Sequence, residues 1–236
     1  MSPPSLSEVR HWLFDLDNTL YPRETEFMGL IEARISDYVR HVTGLPADEA
    51  RALQRKYLLE HGTTLAGLMI EHRIDPAHFL DVVHDVSLDI LEPDASLKAA
   101  LARLPGRRLV FTNGSARHAE RVLERLELAD LFEDVFHIEA AELRPKPDPW
   151  TFDTMARRHG VEARRAAFFE DTEKNLAPAA DMGMATVLVG PHGLSSTAPF
   201  VHHRTEHLAP FLHPLADAGQ PGAPASPPAP GTDRTS

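Results

Sequence analysis

"HWLFDLDNTLYP", His11 to Pro22, decides how this chain is read. The apolar run ending at Phe14 reads as a buried strand before a turn. It then delivers two acids, Asp15 and Asp17, one residue apart, followed by Thr19. A carboxylate at the end of a buried strand is costly unless something binds it.

Outward from this stretch, apolar β-rich runs alternate with longer amphipathic runs, the pattern of a parallel sheet covered by helices. Strands are expected near residues 12–15, 108–112, 135–137, 167–170 and 185–189. In "SARHAERVLERLEL", Ala119, Val122, Leu123 and Leu126 share one helical face, with Ser115 as N-cap. Asp148 followed by Pro149 opens another helix, which Gly160 closes. One interval breaks the alternation. Residues 23–91 hold only helical patterns, "FMGLIEARISDYVRHV", "DEARALQRKYLLEHG", "TLAGLMIEH" and "PAHFLDVVHDV". That is too long for a loop, so a helical lobe is expected there, inserted between core segments 1–22 and 92–213. The Pro/Ala/Gly-rich stretch 214–236 is expected to be a disordered tail. The fold class is α/β: a Rossmann-like parallel sheet flanked by helices, with an inserted helical lobe.

Composition narrows the chemistry. The 236 residues are 42% hydrophobic and 25% charged, enough for a real core, and the net charge is −11. That balance argues against a nucleic-acid polymer or an anionic membrane as partner. An anionic substrate must find a local positive site. With no cysteine there is no disulfide framework, zinc–thiolate cluster or cysteine nucleophile. The 14 histidines form no metal motif such as HExxH. No basic start with an apolar h-region is present and no apolar stretch approaches about 18 residues. A soluble, cytoplasmic protein is expected; the oligomeric state is left open.

The strands deliver polar residues to one place. Asp15 ends the first, Thr112 of "LVFTNGS" ends the second, and Glu170 and Asp171 of "AAFFEDTEKN" end the fourth, all pointing to the carboxyl edge of one sheet. Open α/β sheets bind ligands at that edge. Adjacent carboxylates there repel by roughly 4 kcal/mol per pair at about 4 Å and an effective dielectric near 20. They need a cation. An oxygen-only donor set points to Mg²⁺, held by carboxylates, waters and a substrate phosphate. Lys146 in "LRPKPDPW", on a proline-stiffened loop before a helix, suits a phosphate. Each residue has a bland reading: a strand-end Asp as turn former, a solvated Lys, an acid pair facing a helix dipole. Four such sites at consecutive strand edges are hard to assemble by accident. His202 and His203 read as surface loop.

On these residues the chain resembles a known family. "DLDNT", "TNGS", "RPKP" and "EDTEKN" are similar to the four signature motifs of the haloacid dehalogenase-like superfamily, over nearly the whole chain to about Gly190. "FDLDNTLYP", "HGTTLAGLM", "FTNGSARHAERVLERL" and "FEDTEKNLAPA" look like its pyrimidine 5′-nucleotidase branch. Ser87 and Leu88, after "VHDV", stand where that branch commonly carries an aromatic residue. The resemblance implies Asp15 as nucleophile and Asp17 as general acid/base. It implies Thr112 and Lys146 as phosphoryl-binding, a Mg²⁺ site from Asp15, Asp17, Glu170 and Asp171, and the inserted lobe as a cap.

A carboxylate nucleophile splits phosphate ester hydrolysis into two easier steps. A second acid two residues on can protonate the leaving alkoxide and then deprotonate water. The amides of Asn113 and Gly114 can hold phosphoryl oxygens. In the cap, Thr63, Thr64 and His84 can pair with the edge of a small base, though Thr63 and Thr64 also suit a helix cap. A small phosphomonoester, by resemblance a pyrimidine nucleoside 5′-monophosphate, is the expected substrate. A phosphosugar phosphatase or a β-phosphoglucomutase-like phosphomutase would use the same catalytic residues. A carbon–halogen hydrolase has no need of Asp17. A non-catalytic phosphate-binding module would be expected to have lost at least one of these residues.

Overall fold

The computed structural model of the chain describes residues 5–218. Six strands form one parallel sheet: β1 (His11–Phe14), β2 (Arg107–Phe111), β3 (Asp134–Phe136), β4 (Ala166–Glu170), β5 (Ala185–Val189) and β6 (His203–Thr205). Their order is β3-β2-β1-β4-β5-β6. The chain reverses its direction of winding between β1 and β4, which is where a doubly wound sheet opens its ligand crevice.

Alternation along each strand builds two cores. Trp12, Phe14, Val110, Phe169 and Val187 face one side. There they meet α5 (Ala95–Arg103), α6 (Ala116–Arg125) and α9 (Leu208–Ala218). Leu13, Leu109, Phe111, Phe168 and Leu188 face the other, against α7 (Pro149–His159) and the short α8 (Ala177–Asp181). All four residues of β1 are buried, as expected of a central parallel strand. Between β1 and β2 run four helices: α1 (Phe27–Thr43), α2 (Ala47–His61), α3 (Thr64–His72) and α4 (Pro76–Val83). They share a separate core that includes Tyr38, Tyr57, Leu68, Phe79 and Val83.

Three expectations need correction. Strands β1 and β2 end at Phe14 and Phe111, so Asp15 and Thr112 lie one residue beyond. Their amides still bond across the sheet, Asp15 N to Phe169 O at 2.8 Å and Thr112 N to Phe136 O at 2.9 Å, so both side chains leave from a fixed backbone. His203 belongs to the edge strand β6 rather than to a loop, paired with Val187 of β5. Its three half-buried polar residues carry no apolar alternation to read. The expected tail beginning at 214 starts inside α9, whose Pro214 lies in the helix interior. Leu208, Leu212 and Ala216, four residues apart, bury one stripe of α9 in the core that α5 also lines. That packing outweighs the hydrogen bond Pro214 cannot donate. Residues 219–236 of the expected tail lie outside the described residues.

Phe169 is buried and stacked on Phe14 with ring centroids 4.7 Å apart, tying β4 to β1 at the crevice. Phe169→Ala is expected to cost about 3–5 kcal/mol, seen as a lower urea midpoint at unchanged slope. A loss below ~1 kcal/mol would show that the cluster repacks around the gap.

Candidate active site

Lys146, on the loop between β3 and α7, runs into the crevice and is 1% exposed. Its Nζ donates to Asp15 Oδ1 at 2.7 Å, Glu170 Oε2 at 2.7 Å and the Phe111 carbonyl at 2.8 Å. An ammonium has three protons, and all three are taken. The Phe111 and Phe168 rings flank it at 5.1 and 5.2 Å. Sequence reasoning assigned Lys146 to a phosphate; here it holds two carboxylates.

The charge does not balance locally. Ligand oxygens of Asp15, Glu170 and Asp171 lie within 4.8 Å of one another around that one ammonium. Burial, then the neighbouring Glu170 carboxylate, pushes Asp15 up to about 7 against the pull of Lys146. Glu170 is pushed to about 7 by burial, with Asp171 adding and Lys146 opposing. Asp171 is raised by burial and by Asp15. Lys146 is itself raised, because the two carboxylates outweigh its burial. Asn18 donates to Asp171 Oδ2 at 3.3 Å, while its own Oδ1 is buried without a partner. An excess of buried negative charge on an all-oxygen donor set fits a hard divalent cation.

Asp17 is not part of this cluster. Its Oδ1 accepts from the Tyr21 hydroxyl at 2.7 Å and lies 2.8 Å from His118 Nε2. Burial pushes this carboxyl up, but His118 and the Tyr21 hydroxyl hold it below the usual range. His84, at the end of α4, stacks on His118 at 4.3 Å and bonds Ser115 Oγ through Nδ1 at 3.0 Å. Burial and the adjacent His118 drive His84 down to about 3, so it is a neutral imidazole.

The segment after β2 is tightly self-bonded. Thr112 Oγ1 accepts from the Gly114 amide at 2.9 Å, so a phosphate oxygen would compete for that N–H. The Asn113 side chain accepts from Lys146 N at 2.8 Å and donates to Lys146 O at 3.3 Å, fastening the lysine loop. Thr63 caps α3, its Oγ1 accepting from Ala66 N at 3.1 Å. Thr64 is buried and donates to the Gln54 carbonyl at 3.4 Å. The Thr63 hydroxyl thus serves its own helix, and that of Thr64 ties α3 to α2. A cavity of about 380 Å³ joins all eleven sequence-assigned residues to the inner wall of the four helices, with Ile31, Leu58, Phe79 and Leu80 supplying apolar surface. That volume is in the range of small-ligand sites.

Sequence reasoning missed His118, Tyr21 and Asn18. His118 carried a signal: it stands three and four residues before Arg121 and Val122, and Val122 lies on the apolar face of α6, so an imidazole there points inward. Tyr21 and Asn18 carried no signal beyond their place in "FDLDNTLYP"; the fold shows that they bond Asp17 and Asp171.

A crevice at the winding reversal, an acid pair one residue apart, a buried lysine and a further acid pair coincide with a family model for haloacid dehalogenase-like hydrolases, which matches residues 9–183. The chain belongs to the haloacid dehalogenase-like hydrolases. Phosphate metabolism protein 8 of Saccharomyces cerevisiae is 31% identical to it over 208 residues, 80% of this chain and 65% of the yeast protein. This hydrolase thus spans just under two thirds of that relative's length. Among solved structures it resembles the HAD-hydrolase YfnB of Bacillus subtilis, described as bound to magnesium, at TM-score 0.59 and 16% identity over 88% of this chain and 98% of that one. It also resembles a 2-haloacid dehalogenase of Pseudomonas syringae, at TM-score 0.55 and 22% identity over 88% and 97%. The scaffold is therefore shared by different chemistries, and the site must decide between them.

The raised carboxyls have a sign that can be measured. In unfolded chain Asp15 and Glu170 ionise near pH 4, whereas folded they keep protons to about 7. The folded state binds more protons across that window, so their contribution to stability is present below about pH 4 and lost as pH rises through 7. His84, with its depressed value, titrates in the opposite sense, so the diagnostic is a difference. In chelator, the melting temperature of Asp15→Asn minus that of wild type is expected to grow between pH 5 and pH 7.5, and to shrink when Mg²⁺ is added. A difference that shrinks with pH would contradict the buried-charge account.

Proposed function

We propose that this chain is a Mg²⁺-dependent phosphomonoesterase working through an aspartyl-phosphate on Asp15, with the helices of residues 23–91 as a cap and pyrimidine nucleoside 5′-monophosphates as preferred substrates. The observation that carries the reading is the placement of Asp17. A carboxyl two residues from the nucleophile, fixed by His118 and Tyr21 beside the cavity, serves a leaving alkoxide that needs a proton. A departing halide needs none, which sets the reading against that of the dehalogenase relatives.

Asp17, an ionised carboxyl in the free site, takes up the proton that a phosphomonoester monoanion brings. Asp15 then attacks phosphorus and the bond to the ester oxygen breaks, its electron pair leaving with that oxygen and the proton coming from Asp17. Asp17 then takes a proton from water, whose oxygen attacks phosphorus and displaces Asp15, releasing inorganic phosphate. Lys146 orients the Asp15 carboxylate and lowers the negative charge an anionic substrate meets. Asp15, Glu170 and Asp171 would hold the divalent cation, which when bound neutralises phosphoryl oxygens. The magnesium of the YfnB relative and the name of the yeast relative agree with this chemistry. Discrimination falls to the cap wall of the cavity. With the Thr63 and Thr64 hydroxyls engaged by α3 and α2, its apolar surface is what a small base would rest on.

Phosphate release from p-nitrophenyl phosphate should be abolished by EDTA and restored by Mg²⁺. Asp15→Asn should fold normally yet retain less than about a hundredth of wild-type kcat, a loss above ~2.7 kcal/mol. Greater retention would rule out covalent catalysis at Asp15. In a substrate panel, UMP and CMP should show higher kcat/KM than AMP, GMP or sugar phosphates. Equal efficiency on purine nucleotides, or isomerisation of a sugar 1-phosphate, would move the reading to the phosphosugar or mutase class.

A further inference from the structure

His118 is buried to 1% on α6, where an apolar residue would extend the stripe of Ala119, Val122 and Leu123. Its polar atoms are not there to satisfy one another. Nδ1 is buried without a partner, a cost on the order of 1–3 kcal/mol that a leucine would avoid. Among the described residues, the one side-chain bond of the ring is from Nε2 to Asp17 Oδ1, at 2.8 Å. A carboxylate accepts only, so Nε2 carries the hydrogen and donates.

The ring has little freedom to do otherwise. Phe27 lies parallel to one side at 6.1 Å and 3°, and His84 stacks at 4.3 Å and 14°. Both belong to the inserted helical segment, whereas His118 and Asp17 belong to the sheet edge. A Cβ on Gly114 would come within 2.9 Å of His118 Cδ2, so the chain passes as close to the ring as glycine allows. The same Cβ would lie 3.6 Å from Asp17 Oδ2. Tyr21 donates to Oδ1 as well, and among the described residues Oδ2 receives no hydrogen bond. One oxygen is pinned twice and the other is left free.

We propose that His118 is a positioning residue for Asp17, whose Nε2–H pins Oδ1 so that Oδ2 is the oxygen that exchanges protons with the reacting ester and water. The terminal torsion of a free aspartate is broad and two-fold, and proton transfer demands a held geometry. Oδ2–H gives its proton to the ester oxygen as the phosphorus–oxygen bond breaks, and Oδ2 later accepts one from the attacking water. This inference rests on the phosphomonoesterase reading above, and its test separates the two.

The test compares His118→Phe, which keeps a flat ring between Phe27 and His84 but cannot donate, with His118→Gln, whose amide can. The readout is kcat/KM, which stops at the first chemical step, for p-nitrophenyl phosphate and for UMP, with melting temperatures as a check on folding. An aryl oxide leaves with little help, while an alkoxide needs the proton. His118→Phe should lower kcat/KM for UMP on the order of 100-fold, at least ~10-fold more than for the aryl ester, and His118→Gln should recover most of the difference. Equal losses on both substrates, or a glutamine variant no better than phenylalanine, would overturn the positioning role while leaving the phosphatase reading intact. A wild-type protein that releases phosphate from neither substrate would overturn both. Should His118→Phe fail to fold, Tyr21→Phe removes the other donor to Oδ1 and must show the same selective loss of UMP turnover; an even loss counts against the proposal.

Discussion

The rest of the site is arranged around a buried ammonium group. Lys146 reaches through an apolar sleeve of Phe111 and Phe168 to meet Asp15, Glu170 and the carbonyl that ends β2. Burying such a charge is tolerable only with partners of good geometry, and losing one partner of a buried pair costs about 3–5 kcal/mol. The lysine therefore fixes the ends of β1, β2 and β4 relative to one another. Its loop is fastened in turn by the paired bonds of Asn113 to the Lys146 backbone. The surplus of negative charge that remains with Asp171 is unfavourable for stability and suited to a cation and a phosphoryl group. Stability and chemistry are in tension at one place, as is common where a fold carries a reaction.

The inserted helices are tied to the sheet edge through α6. Arg121 donates to the carbonyls of His84 and Val86 at 2.9 and 3.0 Å. Arg125 reaches those of Leu88 and Asp89 at 3.1 and 3.2 Å. The return from α4 is irregular backbone, and these two guanidinium groups supply donors to four of its carbonyls. The same helix carries His118, so one element holds both the returning chain and the orientation of Asp17. A displacement of the inserted helices would be felt at Asp17 through the Phe27 and His84 rings.

Much of this was legible in the chain itself. The alternation of apolar runs placed five of the six strands to within a residue, because the buried positions of a parallel strand, all of β1, β4 and β5 and the ends of β2 and β3, favour apolar residues. The helical insertion followed from the absence of any strand run between residues 23 and 91, and the acids from their position just after apolar runs. β6 escaped because its residues, His203, Arg204 and Thr205, are polar and only half-buried, whereas the equally short edge strand β3 carries Val135 and a buried Phe136. The C-terminal part of α9 escaped because Pro214 and the alanines read as tail until the core beside α5 is there to receive Leu212 and Ala216.

What the sequence determined by itself was therefore the periodic part: which stretches are strand or helix, and which polar residues a strand must deliver to its carboxyl edge. Tertiary structure alone decided who meets whom. Lys146 is separated by 131 positions from Asp15 and by 24 from Glu170, and His118 by 101 from Asp17. No local pattern encodes a partner at such distances, because a hydrogen bond depends on where the packed cores on either side of the sheet bring two backbones. Thr63 was turned to its own helix, since a cap is satisfied locally before any ligand arrives, whereas Thr64 met a carbonyl of α2 that only helix packing brings near.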